Sequence, residues 1–389
     1  MNKQIAPKKE KLIYIVIFVA IIGIACSCLL ISQAPFGIDY ACFYTTGTMV
    51  SDGQIAQIYD LRAHHAALEH LLGTVDYFLE WVYPPSFLLA VVPFSFLPYP
   101  VSLAFWLLIT FLPAGFAAYV LSGRNRTAPL LFLAFPGSFL NIRWGQNGFL
   151  SAALLGFGVY FAESNPLLAG LMFGFLTYKP QLAIIPFLIL LLMRKWKTLG
   201  WSAVFAAALA ALSAFLFGAQ TWMDFFKSSL NNASILGQAT EGATWGIPTL
   251  TVLLRSFGLQ GWLLNAVLML TAALSVLGCV RVWMQTQRVS LRLLSTALCV
   301  FLSLPYVSLY DFAIFGIPVV MLLLEKQKQP LESFHPMALA ALWILPLLGL
   351  IVYLLTGLQL CPLVLAGFLF ALVKMTARQS SEIPTLNNA

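Results

Sequence analysis

Five short polar motifs interrupt an otherwise apolar chain of 389 residues. They are IDYACFY (38–44), Tyr83-Pro84-Pro85, NIRWGQNG (141–148), TYKPQ (177–181) and SLPYVSLYDFAIF (303–315). Together they supply carboxylates at Asp39 and Asp311, cations at Arg143 and Lys179, amides at Gln146, Asn147 and Gln181, and phenols at Tyr40, Tyr44, Tyr83 and Tyr310. A carboxylate at a membrane–water boundary, with cations and tyrosines around it, suits attack of a hydroxyl on an activated sugar. The carboxylate accepts the hydroxyl proton as general base. Lys179 and Arg143 would hold a departing phosphate, whose charge grows in the transition state. Aromatic faces would stack on the sugar, and the Gln and Asn amides would fix its hydroxyls. A lipid-anchored donor explains why such chemistry would sit at a leaflet surface beside an apolar groove.

Each motif also has a plainer reading. Asp39 suits a helix N-cap, Tyr83-Pro84-Pro85 a helix start, Gln146 and Asn147 a turn, and Tyr310 an interfacial anchor. Lys179 is harder to dismiss, because a cation between apolar runs is costly unless it snorkels or meets an anion. An Asp311–Lys179 ion pair without a catalytic role is the strongest plain alternative for those two.

The elements that must position these residues follow from composition. The chain is 60% hydrophobic, 14% aromatic and only 9% charged, where soluble domains carry about 25% charged residues. It reads as an all-α integral membrane protein, a single polytopic domain over residues 1–389. The net charge of +7 does not signal nucleic acid, because the basic residues cluster at the ends of apolar runs, as cytoplasmic loops require. Such clusters stand at 8–11, 124–126, 194–197, 281–288, 325–328 and 374–378. The six cysteines form no Cys-x-x-Cys pair, so neither a zinc site nor a disulfide framework is expected.

The first apolar run, Leu12 to Ile31, is long enough to span a bilayer and longer than a signal-peptide core. The lysines before it place the N-terminus in the cytoplasm. Residues 33–81 then form an outer loop, holding six of the 14 acidic residues and three of the four histidines. Two segments within it, near 40–51 and 60–72, suit helices lying on the membrane surface. Apolar segments follow near 101–121, 128–141, 148–162, 166–178, 180–193 and 198–218. A second outer loop occupies 219–247, and further segments lie near 259–280, 290–308, 311–324, 338–356 and 359–375. Charge alternation predicts about twelve crossings, in a range of about ten to thirteen, with both termini inside. Tyr83 to Leu97 is short for a span and reads as re-entrant. No internal repeat is visible. All five polar motifs fall on the outer side.

At these residues the sequence resembles glycosyltransferase family 87, multispanning enzymes of the GT-C class that include polyprenyl-phosphate-mannose-dependent mannosyltransferases. Asp39-Tyr40 and Phe43-Tyr44 match the family's paired motif, followed by Gly53 and Ile58-Tyr59-Asp60. Tyr-Pro-Pro at 83–85, Gly-Gln-Asn at 145–147, Lys-Pro-Gln at 179–181 and Pro-Tyr…Tyr-Asp at 305–311 continue the pattern, over roughly residues 35–325. Tyrosine stands at 40 where phenylalanine is common, phenylalanine at 43 for tyrosine, and Tyr310-Asp311 where some members place a histidine.

The resemblance implies a GT-C-type helical bundle and makes Asp39 the general base of an inverting transfer. The implied reaction moves a hexose, with mannose the first choice, from a polyprenyl phosphate to a hydroxyl of a glycolipid or glycan. It would occur on the outer face of the bacterial cytoplasmic membrane. No cofactor is implied, and no clustered carboxylates suggest a metal. Two other classes compete: a transporter or flippase of lipid-linked sugars, and a non-catalytic membrane subunit. Transporters place polar groups near the bilayer midplane in repeated halves, whereas the ionisable residues here favour segment ends.

Overall fold

A computed structural model describes residues 36–73, 79–236, 246–328 and 336–382, which are helices joined by turns, with no strand among them. The expected first span Leu12–Ile31, its basic leader, residues 237–245 of the second outer loop and the side chains of Lys326 and Lys328 lie outside the described residues. In chain order the helices are α1 (Ile38–Ser51), α2 (Leu61–Leu72), α3 (Leu88–Val91), α4 (Tyr99–Leu121), α5 (Ala128–Ala134) and α6 (Pro136–Trp144). Then come α7 (Gly148–Phe161), α8 (Pro166–Phe175), α9 (Pro180–Leu192), α10 (Trp196–Phe217), α11 (Ala219–Leu236) and α12 (Leu250–Ser256). The last five are α13 (Gly261–Gln285), α14 (Val289–Ser303), α15 (Ala313–Lys328), α16 (Pro336–Thr356) and α17 (Cys361–Glu382).

Helix length divides the apolar runs into two kinds. Among the described residues, five helices are long and apolar enough to cross a membrane: α4, α10, α13, α16 and α17 as far as Gln379. The apolar stretches Gly148–Phe161, Pro166–Tyr178, Pro180–Leu192 and Val289–Ser303 are shorter. At ~1.5 Å per residue they rise about 20 Å, against ~30 Å of hydrocarbon core. Counting apolar runs therefore treats two different kinds of helix alike, and the expected count of about twelve crossings does not follow from these lengths. Many of the shorter helices are buried on most sides by their neighbours, α14 from Ser290 to Leu302 without interruption.

Proline explains where the runs break. The expected single segment 128–141 is two helices, α5 and α6, because Phe135 precedes Pro136 and is extended at φ −65°, ψ 131°. The ring of a following proline disfavours the helical conformation. Lys179 precedes Pro180 and leaves the helix in the same way, at φ −124°, ψ 79°. Between Pro85 and Phe96, three short helical pieces follow one another with Val92 as the joint before Pro93. Twelve residues at helical rise cover less than ~25 Å, shorter than a full span.

The two helices expected at the membrane surface differ from each other. α2 exposes most of its length and buries only His64 and Leu68. α1 departs from the expectation, burying Ile38, Tyr40, Ala41, Cys42, Phe43, Thr45, Thr46, Gly47 and Met49. Its residues are small or aromatic on nearly every face, so it packs as a core helix.

The bundle has two polar ends. At one, Glu163 pairs with Lys195 and with Arg292 (2.6 Å), and Arg288 pairs with Glu325 (2.6 Å). The loops at 194–197 and 281–288 thus gather at this end, with Glu325 beside them. α7, α8, α9, α14 and α15 each run between that end and the opposite one. At the opposite end stand Asn147, Lys179 and Asp311, linked to one another by hydrogen bonds. Segments near 219–249 also reach the rest of the bundle: Phe225 of α11 packs on Tyr59 at 6.0 Å, and Thr249 donates to the Pro305 carbonyl at 3.1 Å.

Candidate active site

Asp39 lies in the first turn of α1, two residues beyond Gly37, the N-cap. It does not cap the helix. Its Oδ2 instead accepts a hydrogen bond from Gln146 Nε2 at 3.0 Å. Gln146 occupies the three-residue link between α6 and α7, and Gly145 opens that link. Gly145 adopts φ 68°, ψ 30°, and the Gly145 and Gln146 N–H groups turn back onto the Ile142 and Asn141 carbonyls. This left-handed helix end favours glycine. A Cβ at Gly145 would stand 2.6 Å from the Tyr40 Cβ. Gly148 opens α7 so close to the Tyr310 carbonyl that a Cβ there would lie 2.6 Å from its oxygen. Glycines on both sides of Gln146-Asn147 therefore let three segments approach.

From Asp39 a chain of hydrogen bonds runs inward. Gln146 Oε1 accepts from the Tyr83 hydroxyl (3.3 Å) and from the Asn147 N–H (3.1 Å). Asn147 Oδ1 accepts from Lys179 Nζ at 2.9 Å, and Lys179 donates again to Asp311 Oδ1 at 2.6 Å. Asp311 Oδ2 accepts from the Ser308 N–H at 3.1 Å, closing a capping box at the short helix before α15. The Tyr310 ring lies 4.9 Å from Lys179 Nζ, a cation–π contact. Lys179 and Asp311 are each only 3% exposed.

A wall of aromatic side chains holds this chain in place. Phe43, Trp81, Tyr83, Phe87 and Trp106 meet at 4.7–6.1 Å, edge-to-face or tilted apart from the stacked Trp81–Phe87 pair. Trp106 Nε1 donates to the Gly145 carbonyl at 3.1 Å. Tyr178 stacks on Phe87 at 4.7 Å and donates to the Asn147 carbonyl at 3.2 Å, sharing a second hydrogen bond with Ser151.

Burial pushes the Asp39 carboxyl up to about 6; the Gln146 hydrogen bond and the Lys179 charge pull it down, and Asp311 adds to the rise. Desolvation wins over the favourable charges. Such a value suits a general base, which works best near the ambient pH.

The structure thus brings together Asp39, Tyr83, Gln146, Asn147, Lys179, Tyr310 and Asp311. Tyr40 and Tyr44, expected to meet a substrate, instead face α4. Tyr40 is buried with its hydroxyl 2.5 Å from Ser102, and Tyr44 donates to the Leu97 carbonyl at 2.9 Å while packing on Tyr99. They stand four residues apart on one helical face, while Asp39 and Phe43 share another. Arg143 is buried with its guanidinium 5.4 Å from the Trp144 ring, and its carbonyl accepts from the Gly37 N–H. Gln181, half-buried in the first turn of α9, stands outside the hydrogen-bonded chain.

Ser308, Tyr178, Ser151 and Trp106 support the site without having been singled out in the sequence. The first two lie within the polar motifs themselves, which was the available signal. Tyr306, exposed in the motif before α15, stands close enough to sense the Asp39 charge. Among the described residues no group of three or more His, Cys, Asp or Glu side chains stands together as metal ligands do.

Comparison with known proteins adds the family. Glycosyltransferase family 87 matches residues 81–305, a stretch that holds Tyr83, Arg143, Gln146, Asn147, Lys179 and Gln181. Asp39, Tyr40, Tyr44, Tyr310 and Asp311 lie outside the matched stretch. Neither the curated proteins nor the solved structures yielded a match. With more than half of its length matched and its apolar helices long enough to span a bilayer, the chain belongs to glycosyltransferase family 87 and is a multi-pass membrane glycosyltransferase.

Proposed function

We propose that the protein moves a hexose, with mannose the first candidate, from a polyprenyl-phosphate donor to a hydroxyl of a glycolipid or glycan acceptor. The reaction would take place at the outer face of a bacterial cytoplasmic membrane. Asp39 takes the proton of the attacking hydroxyl. The acceptor oxygen bonds to the anomeric carbon as the bond from that carbon to the phosphate oxygen breaks. The electron pair leaves with the polyprenyl phosphate, the anomeric centre inverts, and Asp39 later releases its proton to water.

The observation that carries this reading is the placement of Asp39: a half-buried carboxylate held through one oxygen, at the end of the bundle where five separated motifs meet. Lys179 is engaged by Asp311, Asn147 and the Tyr310 ring. It is therefore assigned to organising the site and setting its field, and direct contact with the departing phosphate is not required of it.

Incubation of purified enzyme with a panel of radiolabelled polyprenyl-phosphate hexoses and a membrane extract tests the proposal. Labelled acceptor should form with wild type and not with Asp39→Asn. Equal product from both would remove Asp39 from the mechanism, and no product with any lipid-phosphate donor would remove the donor class.

A further inference from the structure

We propose that Gln146 is the positioning residue for the catalytic base, fixing which oxygen of Asp39 receives the acceptor proton. The inference rests on Asp39 being that base. Gln146 is 4% exposed, and its contacts leave it one amide orientation. Its Oε1 already accepts two donors, the Tyr83 hydroxyl and the Asn147 N–H. Flipping the amide would point an NH2 group at the Asn147 N–H and an oxygen at the Asp39 carboxylate. Both contacts would be repulsive. Nε2 is therefore committed to Asp39 Oδ2, and Oδ1 is the oxygen for the acceptor hydroxyl. Nor is the amide available to a sugar hydroxyl without breaking this arrangement, which changes the substrate-binding role expected of Gln146 from sequence.

The same geometry ties the base to the buried ion pair. Asn147 receives Lys179 at its side-chain oxygen and gives its N–H to Gln146. Movement of the ion pair would reach Asp39 through two side chains. The other ionisable groups around Asp39 are Lys179 and Asp311, Cys42 on its own helix, and Tyr83, Tyr306 and Tyr310 facing it. Arg143 and Glu80 stand on the neighbouring segments. A substitution confined to Gln146 alters none of these residues, and of them only Tyr83 loses a hydrogen-bond partner by it.

The test is the acid limb of sugar transfer against pH, which a merely structural residue would not move. A hydrogen bond to an ionised carboxylate favours the charged form, so Gln146→Leu should shift the limb upward by about one to two pH units. Gln146→Glu, close to isosteric, places a second carboxyl beside Asp39 and should shift it further in the same direction. Tyr83→Phe loosens only the amide and should give a smaller upward shift. The latter two variants preserve shape and carry the test if the leucine variant fails to fold. Shifts in this order support the proposal. An unmoved limb in folded Gln146→Glu and Tyr83→Phe, with Asp39→Asn inactive, overturns it and leaves the base assignment standing. Full transfer by Asp39→Asn would instead remove the base assignment itself.

Discussion

Replacing Lys179 by methionine should expose the cost of the buried ion pair. The ammonium and the Asp311 carboxylate meet at 2.6 Å with side chains 3% and 4% exposed. Removing the lysine leaves Asp311 ionised among apolar neighbours with the Ser308 N–H as its other hydrogen bond. Breaking one partner of such a pair costs about 3–5 kcal/mol. Adding Asp311→Asn removes the stranded charge while keeping an acceptor for the Ser308 N–H. What then remains is an unpaired Asn147 oxygen, worth about 1–3 kcal/mol. The second substitution should therefore recover about 2 kcal/mol, roughly thirtyfold in the folding equilibrium. Titration of purified wild type, Lys179→Met and the double variant with SDS, followed by tryptophan fluorescence, measures this directly. A single-variant loss below about 1 kcal/mol, or a double variant no more stable than the single, would refute the pairing argument. Donor KM, measured on the double variant at equal folded fraction, separates pairing from phosphate contact. A structural pair leaves KM near the wild-type value, whereas a phosphate clamp raises it.

Four further outcomes rest on the same structure. Sugar transfer should fall about tenfold per pH unit below about 6, where Asp39 becomes protonated; a limb near 4 in kcat/KM against pH would contradict the burial argument. Because burial raises this carboxyl from 3.8 to about 6, the charged form weakens the fold as pH rises through that window. Asp39→Asn should therefore lose about 10²–10⁴ in rate while melting no lower than wild type at pH 7. His64 behaves oppositely: burial lowers it to about 4, with its Nε2 2.9 Å from the Thr46 hydroxyl. Its neutral form supports the fold above pH 6.5, and that support is lost as pH falls towards 4, up to about 3 kcal/mol. His64→Gln should flatten the decline in melting temperature over that range. Gly145→Ala forces a Cβ to 2.6 Å from the Tyr40 Cβ at a left-handed φ of 68°. It should cost at least about 2 kcal/mol and abolish transfer by displacing Gln146, as thermal unfolding and the transfer assay would report.

Proline, glycine and buried charge are the signals the sequence carries most openly. Lys179 stood out as a cation between two apolar runs, and the structure finds it at the helix break before Pro180, facing Asp311. The buried charge needed a partner for the same reason in sequence as in space: hydrocarbon offers it none. Helix faces were harder to read. Asp39, Tyr40, Phe43 and Tyr44 look alike as a polar–aromatic cluster, yet the 100° step of a helix sends Tyr40 and Tyr44 to Ser102 and Tyr99. No pattern within α1 says which face meets α4, because it is buried nearly all round. Helix breaks were hidden too, since the apolar run 128–141 became the two shorter pieces α5 and α6 where Phe135 precedes Pro136.

The ion pair and the chemistry need not be rival explanations of one motif. Lys179 is paired with Asp311, and the two act on the Asp39 carboxyl in opposite senses, the ammonium lowering it and Asp311 adding to the rise that burial causes. A free lysine beside Asp39 would bind the carboxylate directly and compete with the acceptor hydroxyl for its oxygens. A lysine pinned to Asp311 supplies field without contact, and the amides of Asn147 and Gln146 fill the space between. The Lys179–Asp311 pair read in sequence as the plainer alternative is thus compatible with the role proposed for Asp39, because it keeps the ammonium off that carboxylate. Shortening Asn147 to alanine should then separate the two: Lys179 loses one acceptor and stability falls modestly, while the backbone N–H of residue 147 still donates to Gln146 and the acid limb set by Asp39 stays near its wild-type position.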